Sequence, residues 1–107
     1  MKNKIKTQFR QGDVLIERVD VVPESATKQK PGERVILAHG EVTGHAHEID
    51  CDDAEAWKSG AETVAVAVKR PTELRHQEHA QIPLKRGTYR VVRQREYSPE
   101  AIRNVAD

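Results

Sequence analysis

His39-Gly40-Glu41-Val42-Thr43-Gly44-His45-Ala46-His47-Glu48-Ile49 gathers three of the chain's five histidines and two of its six glycines within eleven residues. Alternate side chains of a β-strand share a face. Read as a strand from His45 to Asp50, the stretch turns His45, His47 and Ile49 one way and Ala46 and Glu48 the other. Upstream, Glu33 to Ala38 reads as another strand, with Val35 and Leu37 on the face that His39 continues. The Gly40 to Gly44 turn between them makes a hairpin that brings His39 and His45 close. Two imidazoles beside an isoleucine on one strand face are expected where an apolar interior opens to solvent.

The rest of the chain repeats this strand-and-turn pattern. Gly12-Asp13 is a turn that feeds the strand Val14 to Val19, which is apolar on both faces and therefore expected in the middle of a sheet. Residues 20–32 carry Pro23, Pro31 and Gly32 among polar residues and read as a mobile surface loop. Cys51 to Gly60 reads as a single helical turn or a wide loop. Glu62 to Val68 alternates valine with small residues, a strand with its large side chains on one face. Pro71 ends it, and Glu73 to His76 forms a short strand. Lys85-Arg86-Gly87 is a turn into the longest strand candidate, Thr88 to Tyr97, with Tyr89, Val91 and Val92 inward. Ser98-Pro99-Glu100 combines an N-cap serine, a first-turn proline and an acid, the start of a short helix from Pro99 to about Val105. The pattern as a whole predicts an all-β domain over residues 1–107: a small antiparallel barrel or sandwich with a C-terminal helix.

Composition limits the function classes. At 107 residues with 36% apolar, 33% charged and 4% aromatic side chains, the core is lean and built on valine, isoleucine and alanine. Homo-oligomerisation would supplement it. The net charge of +1 hides an acidic first part and a basic end, but neither forms the concentrated basic face of a nucleic-acid binder. No apolar run approaches the ~20 residues needed to span a bilayer, the basic start is followed by no apolar signal segment, and the single Cys51 suits a reducing compartment. These features point to the cytoplasm.

The His45-x-His47 pair is the main chemical signal. Zinc, iron, manganese and nickel all accept imidazole, so a divalent transition metal is the expected cofactor, with further ligands from His76 or His79. Strand parity through Leu74, His76 and Glu78 favours His76 over His79, unless a turn after Gln77 reverses the facing. Glu78, His39 and Glu48 are further candidate ligands. Such a site keeps open positions, as catalytic rather than structural sites do. Glu78 and Glu48 are the candidate general bases. Arg93, Arg95 and Tyr97 share a strand face and form a candidate anion clamp. The same three also read as an exposed face paired with acids. The glycine pairs match neither a dinucleotide fingerprint nor a phosphate loop.

Two resemblances add to this reading. The segments Gln11-Gly12-Asp13-Val14-Leu15, Gly40 to His47, His76-Gln77-Glu78-His79 and Gln94-Arg95-Glu96-Tyr97-Ser98-Pro99-Glu100 resemble a family of short bacterial and phage-associated proteins with no assigned activity. Gly40 followed by His45-x-His47, with Asp52 downstream, is similar to the first cupin motif. The second cupin motif would be Pro83 to Arg90, which carries arginine and no histidine, so His76 or His79 would have to substitute. The cupin resemblance implies a small metal-carrying barrel.

The resulting expectation is a metal-binding β-barrel protein that, if it is an enzyme, acts on a small polar or anionic substrate by hydrolase, isomerase or dioxygenase chemistry. The rival expectation is a non-catalytic module with structural histidines that docks a partner protein. Weak nucleic-acid binding through residues 85–103 ranks last.

Overall fold

The computed structural model describes residues 8–40 and 44–93. Ten strands run in order through them: β1 (Gln8–Gln11), β2 (Val14–Val19), β3 (Thr27–Lys28), β4 (Val35–His39), β5 (Ala46–Ile49), β6 (Ala54–Ser59), β7 (Glu62–Val68), β8 (Thr72–Leu74), β9 (Ile82–Leu84) and β10 (Gly87–Arg93). Among the described residues there is no helix, and so none long and apolar enough to cross a membrane. The expected helix from Pro99, together with Arg95 and Tyr97, lies outside them.

Six strands form one antiparallel sheet in the order β1-β2-β10-β7-β6-β3. β4 and β5 make a hairpin, and so do β8 and β9. The two hairpins are joined where Glu48 and Arg75 exchange backbone hydrogen bonds, N–H to carbonyl at 2.9 Å in both directions, the narrow-pair pattern of an antiparallel ladder. The core lies between the hairpins and the large sheet: Val14, Ile16, Val66, Val68 and Tyr89 from the sheet meet Val35, Ile49, Leu74 and Leu84 from the hairpins. The all-β expectation holds, but the sheets do not close into a barrel. Among the described residues β1, β3, β4 and β9 each have a strand partner on one side only, and the broken two-plus-two layer offers no continuous ladder around which closure could run.

Several local readings change for identifiable reasons. Gly12-Asp13 is the two-residue loop of a β1–β2 hairpin, with Gly12 at φ +60°, the residue and the φ that a type II′ turn requires first. Cys51 to Gly60 is mostly strand rather than helix or loop. Ala54 and Ala56 bury their methyl groups while Glu55 and Trp57 alternate outward, a period of two that small inward residues conceal. The polar segment 20–32 is held to the sheet edge, with β3 paired to β6 and the Gln29 N–H donating to the Ala56 carbonyl at 2.8 Å.

Two bulges shift facing. In β7 the register slips opposite Trp57/Lys58, leaving Val64 half-buried while Val66 and Val68 are buried, so the valines do not share one face. In β4 three steps from Val35 to Ala38 oppose two from Ile49 to His47. That extra residue reverses the parity beyond Leu37.

Candidate functional site

The pocket that matters here is a concavity of about 240 Å³ lined by Asp13, His45, His47, His76, Glu78 and His79, with Gly40 at its edge. Four of the five histidines come together in it from two separate parts of the chain. His45 and His47 arrive from β5, where the expected shared facing holds. β8 ends at Leu74, and the chain then bends over residues 77–79. That bend brings in both His76 and His79, so the choice between them set by strand parity does not arise. The fifth histidine, His39, is turned out by the β4 bulge. Its backbone meets the hairpin partner, but its side chain is exposed and borders a different groove with Arg93 and Val64.

The imidazoles are packed closely, mostly tilted against one another. His76 is central, with ring centroids 4.3 Å from His47, 4.6 Å from His79 and 5.6 Å from His45. The His47 and His79 rings lie 6.0 Å apart and nearly parallel. This crowding depends on bare backbone at two points. A Cβ on Gly12 would lie 2.8 Å from His79 Nε2, and one on Gly40 would lie 3.0 Å from His76 Nε2.

Gln11, at the end of β1, organises the pocket from behind. Its side-chain amide donates to the Leu74 carbonyl at 3.0 Å and to the Ala80 carbonyl at 2.9 Å. Those carbonyls bracket the segment that carries His76 and His79. Carbonyls only accept, so the amide nitrogen must face them and Oε1 must face His47 Nδ1, 2.8 Å away. An amide oxygen only accepts as well, so His47 carries its proton on Nδ1. In the neutral ring, Nε2 is then a lone pair directed at the pocket. Gln77 fastens the same segment to β5, accepting the Ala46 N–H at 2.9 Å.

Opposite His47 Nε2, at 3.6 Å, stands Asp13 Oδ1. The other Asp13 oxygen accepts from Arg93 Nε at 3.0 Å, and Arg93 also donates to the His39 carbonyl. Burial pushes the Asp13 carboxyl up, but the hydrogen bond and charge of Arg93 outweigh it and hold the group below the usual aspartate value. His47 is almost completely buried. Burial first, then the neighbouring His76, lowers its pKa to about 4 against the partial opposition of Asp13. Near neutral pH, two lone-pair acceptors therefore face each other with no proton between them. Across the pocket His45 Nδ1 and Glu78 Oε2 repeat the spacing at 3.6 Å. That His45 nitrogen is buried and makes no hydrogen bond among the described residues.

The remaining candidates lie elsewhere. Glu48 points away from the pocket on the other face of β5 and is gripped by Arg34 through bonds of 2.6 and 3.0 Å, which hold its carboxyl below the usual glutamate value. Arg93 is committed to Asp13. Among the described residues, one trio of ligating side chains has donor atoms all within 4.8 Å of one another: Asp50, Cys51 and Asp52, on the turn after β5. No three histidine or carboxylate donors of the pocket are that close.

Two contributors to the pocket have no local signature in the sequence. By local pattern Asp13 reads as a turn residue, and Gln11 carries no chemical signal. The signal for Gln11 was parity: Phe9 and Gln11 alternate inward on β1, which puts an amide into the core, where it must find partners.

No curated protein and no solved structure matches the chain. A family model described as a domain of unknown function, DUF8820, matches residues 10–94, a span that contains every residue of the pocket, and the chain belongs to that family.

Proposed function

We propose that the histidine pocket is a divalent transition-metal site, open to small polar or anionic ligands. One observation supports this most: the His47 Nε2 lone pair faces Asp13 Oδ1 at 3.6 Å while Gln11 holds the only imidazole proton on the far side. A cation between them would satisfy both acceptors, the buried His47 nitrogen and the half-buried Asp13 oxygen. Donors bound at roughly 2.0–2.2 Å to one tetrahedral ion sit roughly 3.3–3.6 Å apart. The amide behind His47 is the kind of outer partner that sets the tautomer of metal-binding histidines.

Asp13, His47 and His79 are the residues that would hold the ion. The donor chemistry fits, and one pair is already at ligand spacing. His79 is exposed on its loop and would complete the set by turning inward. A bound ion would supply Lewis acidity and an exchangeable position. His45 and Glu78 line the same pocket, and the exposed Glu78 carboxylate would be the group to take a proton from an incoming ligand. The cupin resemblance implies the same chemistry, though on a closed barrel that this fold lacks.

The test is calorimetric titration of zinc into chelator-stripped protein, wild type beside Asp13→Asn and His47→Gln. One equivalent bound by the wild type, with affinity at least tenfold weaker in each variant, supports the reading. No binding by the wild type, or equal binding by all three, refutes it.

A further inference from the structure

His47 and His76 are adjacent in the pocket but oppositely protonated, and this separates their roles. The Glu78 backbone N–H donates to His76 Nδ1 at 3.0 Å, closing a tight turn two residues long. An amide N–H cannot accept, so Nδ1 of His76 carries the lone pair and the neutral ring carries its proton on Nε2. Nε2 is the nitrogen that approaches Gly40 at the pocket edge. His47 thus presents a lone pair to the pocket, whereas His76, with its ring centre 4.3 Å away, presents an N–H. A metal ligand must offer a lone pair. An N–H beside a metal position instead donates to an oxygen ligand of that metal.

Building on the metal reading above, we infer that His76 is not a ligand but the hydrogen-bond donor to a small oxyanion bound at the open position. The neighbouring groups suit that role. Of the groups facing His76, Asp13 is occupied by Arg93 and His47, His45 and His79 are imidazoles, and Glu78 is exposed at the mouth. The N–H of His76 and the lone pair of His47 belong to neighbouring rings that line the same pocket. A substrate class follows: compounds bearing a carboxylate or similar oxyanion, which an ion and an N–H can grip together.

The experiment uses the full chain loaded with cobalt(II), with acetate as the probe ligand, and compares wild type, His76→Gln, His76→Ala and His47→Gln. The visible cobalt bands report both metal uptake and acetate binding. Nitrogen-15 NMR of the zinc-loaded protein reads the tautomer of His76. The expected results are cobalt affinity within about threefold of wild type for both His76 variants, a large loss for His47→Gln, acetate affinity about tenfold weaker in His76→Ala, and partial recovery in His76→Gln, whose amide can donate. His76 should keep its proton on Nε2 in the zinc form. A loss of cobalt binding in His76→Gln as severe as in His47→Gln, or a zinc-bound Nε2, overturns the donor role while leaving the metal reading intact. No cobalt uptake by the wild type overturns the metal reading and the donor role with it.

Discussion

Replacing Gln11 by leucine is the most informative single perturbation of this architecture. The side chain is buried and makes three hydrogen bonds: two donated to the Leu74 and Ala80 carbonyls and one accepted from His47. Leucine has a similar volume, so little cavity forms, but all three partners are left unsatisfied. Two of the bonds are buried and the one to Ala80 is partly buried. An orphaned buried group costs roughly 1–3 kcal/mol and a partly wet one less, so the variant should lose about 3 kcal/mol. For a domain of this size that lowers the melting temperature by roughly 12–20 °C. The loss should also release the 74–80 segment and free the His47 tautomer, weakening zinc binding by roughly 10- to 100-fold, the range for lost outer partners of metal-bound histidines. Thermal unfolding followed by circular dichroism reads the first effect, and chelator competition reads the second. A variant within about 0.5 kcal/mol of wild type with unchanged zinc affinity would refute the role given to Gln11.

Other outcomes follow from the same geometry. Gly12→Ala forces a side chain into positive φ and sets its Cβ 2.8 Å from His79 Nε2; it should destabilise the fold by at least about 1 kcal/mol and weaken zinc binding, both read by melting with and without zinc. Because the folded His47 titrates near 4 rather than 6.5, the unfolded chain takes up a proton first as pH falls. The stability held above pH 6.5 should therefore decline toward pH 4 by roughly 3 kcal/mol. Urea unfolding across that range measures it, His47→Gln should flatten the slope, and a wild-type slope as flat as the variant's contradicts the burial argument. Glu48→Gln removes an ion pair on the opposite face from the pocket. It should change stability by no more than about 1 kcal/mol and leave the zinc isotherm unchanged; a large loss of zinc binding would return Glu48 to the site.

The sequence carried the strands better than their assembly. Val14 to Val19 and Glu62 to Val68 were legible because alternation and β-branching act locally. Barrel closure was not legible, since it depends on which edges pair, and among the described residues the β4–β5 and β8–β9 hairpins pair backbone to backbone only at Glu48 and Arg75. The bulge at Leu37 is equally silent in the sequence, yet it decides that His39 leaves the pocket. For the site, His45 and His47 were legible from parity. His76 and His79 were visible as residue types, but their joint presence needed the bend after Leu74. Asp13 and Gln11 were hidden because their partners lie 34 and 36 positions away in the chain, a distance over which local pattern says nothing.

Anomalous diffraction from crystals of the zinc-loaded protein would locate the ion itself. A single strong zinc peak is expected roughly 2.0–2.2 Å from both Asp13 Oδ1 and His47 Nε2, with His79 turned toward it. A pocket without a peak, or zinc held instead by Asp50, Cys51 and Asp52, would contradict the metal reading of the pocket.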